Sequence, residues 1–131
     1  MKSSKPSALE LQVLAVLWQR GPSTVREVLE AMPDGKPRAY TTVLSIMQVM
    51  EKKGLLTHKA QGKAHVYRPS VARQKVLGPL LGNLVDNVFG GSSSGVLQCL
   101  MQERGVSAGE FAEIQQLLAE HDKPRRKKGK G

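Results

Sequence analysis

The sequence predicts a mainly α-helical protein with one small β-hairpin. Residues 7–69 contain three amphipathic segments followed by two short strand-like segments, and residues 70–121 contain further leucine-rich amphipathic segments. A chain of 131 residues is within the range of one small domain, which excludes a large two-domain enzyme with a deep cleft. We therefore expect two small folded parts, 7–69 and 70–121, and a tail at 122–131.

Two helices are predicted in the first part. From Ser7 to Gln19, apolar residues recur on one helical face, and Gly21-Pro22 ends the segment. Thr24, followed three residues later by Glu27, has the pattern of a capping box. The second helix therefore begins near Thr24, and it ends at Pro33-Asp34-Gly35.

A third helix is predicted from Tyr40 to Lys53, with Gly54 just beyond its end. One face is apolar and contains Val43, Ile46, Met47 and Met50. A second face is polar, and its members recur with helical spacing at Thr41, Ser45, Gln48 and Lys52. This polar face is uncharged except for the lysine at its end.

Two short strands are predicted after Gly54, at Leu55 to Lys59 and Ala64 to Arg68, around a basic tip at 60–63. Three helices followed by a hairpin is the element order of a winged helix-turn-helix. In that fold the third helix keeps its polar face free, and a DNA major groove is wide enough to admit a helix. Thr, Ser and Gln side chains can pair with base edges there, whereas lysines suit the phosphates.

Helices are also predicted in residues 70–121. Leu77, Leu81, Leu84 and Val88 lie on one face of a helix that ends at Phe89-Gly90-Gly91, and Gly78-Pro79 should kink this helix or delay its start. Residues 92–95 are predicted as a loop, and Val96 to Glu103 as a short helix that buries Cys99. A capping box at Ser107 and Glu110 opens a last helix with Phe111, Ile114 and Leu118 on one face.

The chain is strongly basic, with a net charge of +9 and a pI near 10.0. Residues 36–75 hold nine basic residues against one acidic residue, whereas residues 76–122 hold one basic residue against six acidic ones. The tail 123–131 adds six basic residues and no apolar one, which is typical of a disordered segment. The basic middle indicates a polyanionic partner such as nucleic acid or an acidic membrane surface.

Several classes of protein are not expected. A single cysteine excludes an intramolecular disulfide, and no apolar run approaches a signal peptide or a membrane span. His58, His65, His121 and Cys99 lack the close spacing of metal ligands, and no catalytic constellation is present. We expect a cytoplasmic protein without cofactor, metal or enzymatic activity.

Five sequence segments, in order and at compatible spacing, resemble the penicillinase-repressor family of the BlaI and MecI type, with its copper-responsive CopY relatives. They are Leu11–Trp18, Gly21–Val28, Ala39–Leu44, Lys53–Leu56 and His65–Pro69. The resemblance covers roughly residues 7–120 and implies a homodimeric winged-helix repressor that binds an inverted repeat in promoters. In several members a membrane sensor protease inactivates the repressor, so the family implies such a protease as a further partner.

The resemblance places the recognition helix at Tyr40–Lys53, with Thr41, Thr42 and Ser45 nearest the bases, and the wing at Lys59–Lys63. Gln48 and Lys52 extend the polar face by periodicity. Lys53 also suits the phosphates. The candidate DNA-binding residues are Lys36, Arg38, Tyr40, Thr41, Thr42, Ser45, Gln48, Lys52, Lys59 and Lys63.

The resemblance also implies that the C-terminal helices form the dimer interface. The candidate interface residues are Leu77, Leu81, Leu84, Val88, Phe89, Leu97, Leu100, Phe111, Ile114 and Leu118. Penicillin-responsive members are cleaved at an Asn-Phe pair where this chain has Cys99-Leu100, and copper-responsive members end in a cysteine motif that this tail lacks. The inducing signal therefore stays open.

Two alternatives stay open beside a dimeric repressor. A winged helix used for protein contact or non-specific DNA binding would also have a basic hairpin and tail. A small enzyme is the other alternative, which the absence of a catalytic constellation disfavours.

Overall fold

The structure, a computed structural model, describes residues 5–121 and confirms the predicted mainly helical fold with a small sheet. The chain divides into two compact units at Leu81, a residue within the fourth helix. The helices and strands in chain order are α1 Ala8–Arg20, β1 Ser23–Thr24, α2 Val25–Glu30, α3 Tyr40–Lys52, β2 Leu56–Gln61, β3 Ala64–Pro69, α4 Arg73–Asn87, α5 Ser93–Glu103 and α6 Ala108–Glu120. The predicted basic tail at 122–131 lies outside the described residues.

Helix α1 begins where the sequence predicts because Ser7 and Glu10 cap it reciprocally. Ser7 Oγ accepts a hydrogen bond from the Glu10 N–H at 3.1 Å, and the Glu10 carboxylate accepts one from the Ser7 N–H at 2.9 Å. The helix ends at Arg20, and Gly21 follows with a φ of 92°. Glycine adopts this conformation without steric cost, so the chain can turn sharply there.

Helix α2 begins at the predicted capping box of Thr24 and Glu27. The Thr24 N–H donates to Glu27 Oε1 at 2.9 Å, and the Glu27 N–H donates to Thr24 Oγ1 at 3.1 Å. Directly before this helix, Ser23 and Thr24 form the short strand β1, which was not predicted from the sequence. A strand of two residues is too short to show an alternating pattern, so only its pairing with β3 defines it.

The sheet is antiparallel, in the order β1-β3-β2, and its hairpin is longer than predicted. Gln61 pairs with Ala64, which leaves only Gly62 and Lys63 in the turn. Gly62 has a φ of 63°, a conformation that two-residue hairpin turns require. The prediction of a four-residue tip was therefore wrong, because Ala60 and Gln61 stay paired in strand β2.

The core of the first unit lies between its helices and the sheet. Thirteen hydrophobic residues from α1, α2, α3 and the hairpin region form one buried cluster, with Leu14, Val28, Val43, Met47 and Met50 fully buried. Trp18 packs against this cluster and donates from Nε1 to the Val71 carbonyl at 3.0 Å. This bond ties the segment after the hairpin to helix α1.

The second unit has no buried residue among its described members, Gly82 to His121. Its helices are nevertheless well capped. Ser92 Oγ accepts from the Gly95 N–H at 2.8 Å, and Ser107 Oγ accepts from the Glu110 N–H at 3.1 Å. The helices therefore form for local reasons, while their apolar side chains find no core within this unit.

Three expectations about the C-terminal helices differ from the structure in whole or in part. Gly78-Pro79 does not delay the start of α4, which begins at Arg73 with first-turn bonds from Lys75 and Val76 to the Ala72 carbonyl, while a kink at this point stays a prediction. Residues 93–95 belong to α5 rather than to a loop, because Ser92 caps the helix earlier than predicted. Cys99 is exposed rather than buried, in a unit whose described residues include no buried one.

Within residues 5–121, no helix combines the length and the apolar character that crossing a bilayer requires.

Candidate nucleic-acid interface

Helix α3 has one buried face and one exposed polar face, as its sequence predicts. Val43, Met47 and Met50 are fully buried. The opposite side exposes the four uncharged polar candidates together with Lys52, and we call this surface the polar stripe. Its residues are Thr41, Thr42, Ser45, Gln48 and Lys52.

Val49 lies on the exposed side of α3 as well, although the sequence pattern did not indicate it. Its exposure of 47% is high for a β-branched apolar residue on an otherwise packed helix. Val49 is four residues after Ser45, so it continues the line of the polar stripe. The exposed face of α3 therefore offers hydroxyls, an amide and one apolar group.

The cations near α3 fall into two groups according to their partners. Arg38 donates two hydrogen bonds to Asp34, at 2.6 and 2.9 Å, and Lys53 Nζ lies 2.9 Å from Glu10 Oε1. Four other candidate lysines make no ion pair with any residue that the structure describes: Lys36, Lys52, Lys59 and Lys63. These four are also exposed, so their charges are available to an external anion.

Lys53 was predicted to contact phosphates, and the structure gives it a different role. Its ammonium group bonds both carboxylate oxygens of Glu10, at 2.9 and 3.0 Å. The Glu10 side chain is only 8% exposed, so it needs a charged partner inside the unit. Lys53 therefore joins the end of α3 to the beginning of α1.

Arg38 is likewise occupied, because Asp34 holds both of its terminal nitrogens near the turn before α3. The hydrogen bond from Arg38, followed by one from the Lys36 backbone N–H, holds the pKa of the Asp34 carboxyl well below its usual range. The same pairing raises the pKa of Arg38. This ion pair fixes the turn that leads into α3, and it leaves Arg38 less able to contact phosphate than predicted.

The wing, formed by β2 and β3, is attached to the end of α3 by a side-chain contact. His58 Nδ1 lies 2.8 Å from Glu51 Oε2, and the His58 ring stacks on His65 with a centroid distance of 4.3 Å. Tyr67 lies beneath these rings, 5.2 Å from His58. Burial raises the pKa of the Tyr67 hydroxyl, and the nearby Glu51 and Tyr40 add to this effect.

A groove runs between α2, α3 and the wing. Its volume is about 490 Å³. The guanidinium of Arg26 lies over the Tyr40 ring, 5.4 Å from its centroid. The groove residues are Thr24, Val25, Arg26, Tyr40, Leu44, Gln48, Lys63, Ala64, His65 and Tyr67.

The groove brings together three predicted residues from two elements: Tyr40 and Gln48 from α3, and Lys63 from the wing turn. Thr41, Thr42, Ser45, Lys52 and Lys59 are exposed outside it. Sequence reasoning missed Arg26, because its charge cancels against the acidic residues of the first 35 positions. Only its exposed position on the second predicted helix could have indicated it.

The expectation that the chain holds no metal stays a prediction. Residues 5–121 contain no group of three or more His, Cys, Asp and Glu side chains that could hold a metal ion. His58, the histidine nearest a carboxylate, is engaged by Glu51. The two stacked histidines of the wing thus serve as packing groups.

The predicted dimer-interface residues are half-buried or exposed in the single chain. Leu77, Phe89 and Ile114 are half-buried. The exposed members are Leu81, Leu84, Val88, Leu97, Leu100, Phe111 and Leu118. Met101 and Leu117, which were not predicted, are exposed by more than half.

A sequence profile of the penicillinase repressor family matches residues 6–120. The chain belongs to this family. The membership confirms the prediction of a repressor rather than an enzyme, and it agrees with the helical architecture described above.

Relatives within the penicillinase repressor family are similar along most of their length. The transcriptional regulator BlaI of Mycobacterium tuberculosis is 33% identical, over 91% of this chain and 86% of its own length. The penicillinase repressor of Bacillus licheniformis is 24% identical, over 88% of this chain and 90% of its own length. The methicillin resistance regulatory protein MecI of Staphylococcus aureus is 19% identical, over 89% of this chain and 95% of its own length.

Among solved structures, the solution structure of the DNA-binding domain of the repressor BlaI is similar to part of this penicillinase repressor family member. It covers 55% of this chain and 90% of its own chain, with 26% sequence identity and a TM-score of 0.48.

Proposed function

We propose that the protein is a cytoplasmic homodimer that represses transcription by binding an inverted-repeat operator in promoter DNA. The observation that carries this proposal is the polar stripe of α3, which is exposed along the helix and flanked by lysines that make no ion pair with a described residue. Membership in a family of repressors supports it. So does the name of the mycobacterial relative, a transcriptional regulator.

The polar stripe has the chemistry that base reading requires. Thr41, Thr42 and Ser45 are hydroxyl donors and acceptors near the beginning of α3, and the Gln48 amide can pair with adenine. Val49 and the threonine methyl groups can contact the 5-methyl group of thymine. We infer that α3 enters the major groove with this side facing the bases.

The unpaired lysines have the chemistry that phosphate binding requires. Lys52 and Lys59 extend from α3 and the wing, while Lys36 precedes α3 and Lys63 occupies the wing turn. Lysine contacts to phosphates supply affinity and register but no sequence information. The wing therefore grips the backbone beside the groove that α3 reads.

Dimerisation is proposed for residues 70–121. Their leucines, valine and phenylalanine include large apolar side chains that are exposed in the single chain, and exposed apolar surface of this kind often marks an interaction site. Pairing with a second copy would cover it, and a two-fold dimer would place two α3 helices on two half-sites. The spacing of the half-sites is then one helical turn or more, about 34 Å or a multiple.

Selection of bound duplexes from a random pool, followed by footprinting, tests the repressor proposal. We expect an enriched inverted repeat that the protein protects on both half-sites. Equal affinity for the selected duplex and for its scrambled sequence would support a non-specific DNA-binding module instead. A protein-interaction module would enrich no duplex at all.

We propose a membrane sensor protease as a partner only because the chain belongs to the penicillinase repressor family. Cys99 and Leu100, at the positions of the family's cleavage site, lie in the middle of α5 with exposed side chains. Cleavage would have to unwind this helix, since its backbone bonds hold the peptide away from an extended form. Incubating the repressor with a sensor protease encoded beside its gene would show whether the chain is cut there.

A further inference from the structure

Arg26 belongs neither to the polar stripe nor to the wing lysines, and its side chain is held against an aromatic ring. Its guanidinium carbon lies 5.4 Å from the centroid of the Tyr40 ring, above the ring face. Such a contact orients the planar guanidinium and leaves its N–H edges available for hydrogen bonds. Tyr40 is the first residue of α3, so the contact also joins α2 to the recognition helix.

Two other arginines of the first unit, Arg20 and Arg38, differ from Arg26 because each has a carboxylate partner. Arg20 lies 3.8 Å from Glu27, and Arg38 is paired with Asp34 at 2.6 Å. No carboxylate of residues 5–121 lies within ion-pair distance of Arg26. Its positive charge is therefore not neutralised within the described part of the chain.

A second cation lines the same groove. Lys63, in the wing turn, is exposed and makes no ion pair with a described residue. Arg26 and Lys63 come from elements 37 positions apart, so the fold rather than the sequence places both in one groove. Like charges on a shared surface repel, and an anion bound in that groove would remove the repulsion.

The groove also contains a polar group that lacks a partner. Tyr67 lines it and is only 1% exposed, and its hydroxyl makes no hydrogen bond to a described residue. A buried hydroxyl without a partner is costly, because it has lost its hydrogen bonds to water. The residues that line the groove therefore include a buried hydroxyl whose hydrogen bond no described residue supplies.

We propose that this groove binds a phosphodiester of the DNA backbone, with Arg26 as its principal ligand, Tyr40 as the residue that orients Arg26, and Lys63 as a second cation. The inference rests on the proposed function, because it requires α3 to enter the major groove. Tyr40, Leu44 and Gln48 line the groove over about two turns of α3, or roughly 12 Å. The DNA strand that borders the base-reading face must then pass beside this groove.

Titration of a fluorescent duplex at several salt concentrations tests the assignment, using the full-length chain. We expect Arg26→Ala to weaken binding about tenfold near 0.1 M salt, because a hydrogen bond to a charged group is lost. The slope of log K against log salt should fall by about 0.9, which corresponds to one phosphate contact. Arg26→Lys should keep the slope but lose part of the affinity, because lysine has no planar guanidinium to stack on Tyr40.

Arg20→Ala is the matched control. It removes an exposed arginine from the neighbouring helix, one that already has Glu27 as a partner. Its affinity and salt slope should equal those of the wild type. A fall in slope as large as that of Arg26→Ala would mean that any nearby positive charge contributes equally, and it would overturn the assignment of a specific ligand.

A second measurement does not depend on the variant's stability. Single phosphates of one half-site are replaced in turn by neutral methylphosphonates, and each duplex is titrated with wild type and Arg26→Ala. One position should weaken the wild type while leaving Arg26→Ala unchanged, because the two changes remove the same contact. If every position affects both proteins equally, Arg26 binds no phosphate, although DNA binding itself would stand. A wild type that binds no duplex would instead overturn the proposed function, and this inference with it.

Discussion

The Nδ1 atom of His58 lies 2.8 Å from Glu51 Oε2, which joins the wing to the end of the recognition helix. Both side chains are about one-third exposed, so the contact is neither buried nor fully screened. His58 also stacks on His65 across the hairpin, so the contact reaches both wing strands. The position of the wing therefore depends on a residue of α3 itself.

Replacing Glu51 should loosen the wing. We expect Glu51→Ala to speed amide hydrogen exchange in β2 and β3 while α1 is unaffected, and to lower the free energy of unfolding by up to about 1 kcal/mol. Glu30→Ala is the control, since Glu30 is exposed and has no ion-pair partner among the described residues. Unchanged exchange in the hairpin would show that strand pairing alone holds the wing.

Base reading and phosphate binding should respond differently to substitution. Thr42→Ala should reduce discrimination between the operator and a mutated operator, because a hydroxyl of the polar stripe is lost. Lys63→Ala should weaken binding to both duplexes and reduce the salt slope by about 0.9. Competition titrations with both duplexes measure the two effects. The reverse pattern would mean that base-reading and phosphate-binding elements have been exchanged.

The adjacent residues Lys53 and Lys52 should differ in role, with Lys53 stabilising the fold and Lys52 strengthening DNA binding. Lys53→Met leaves the poorly exposed Glu10 carboxylate without its partner, so we expect a loss of about 1–3 kcal/mol in the free energy of unfolding. Lys52→Met should leave the unfolding free energy nearly unchanged and lower the salt slope of DNA binding. Urea denaturation and salt titration of both variants make the comparison. A stability loss from Lys52→Met equal to that from Lys53→Met would contradict it.

The Asp34–Arg38 pair should affect how the free energy of unfolding changes with pH under acid conditions. The folded-state pKa of Asp34 is lowered, chiefly by the hydrogen bond from Arg38. Its stabilising contribution is therefore complete above the unfolded pKa of about 3.9 and is lost as pH falls toward the folded value. Asp34→Asn should remove this part of the pH dependence in urea denaturation below about pH 4. An identical acid branch in both proteins would show that the pair contributes nothing.

Dimerisation should fail when a charge enters the exposed apolar surface. Leu81 is 54% exposed in the single chain, and Leu81→Asp should give monomers in sedimentation experiments at micromolar concentration. Asn83→Asp adds the same charge two positions along α4 at an exposed polar residue and should leave the dimer intact. A dimer that persists in Leu81→Asp would place the interface elsewhere.

Local sequence patterns predicted most of the helices and the position of the polar stripe. Capping residues such as Thr24 and Ser107 act on neighbours three positions away, so sequence alone reveals them. Partnerships over long distances in the chain were not predictable in this way. Glu10 and Lys53 are 43 positions apart, and the sequence could not show that this lysine pairs with that carboxylate.

The groove residue Arg26 illustrates the same limit. The net charge of the first 35 residues did not reveal Arg26, because four acidic residues there offset four basic ones. Its distinctive feature is the Tyr40 ring beneath it, 14 positions further along the chain. Only the packing of α2 against α3 creates that feature.

The helices of the second unit lack a core, so the concentration of the repressor should itself affect repression. Gly82 to His121 contain no buried residue, and a segment of roughly 40 residues rarely folds stably without outside help. If a second copy supplies that help, folding and association become a single, concentration-dependent step. Operator occupancy would then fall faster than protein concentration as a cell grows and divides, so dilution alone could begin to lift repression.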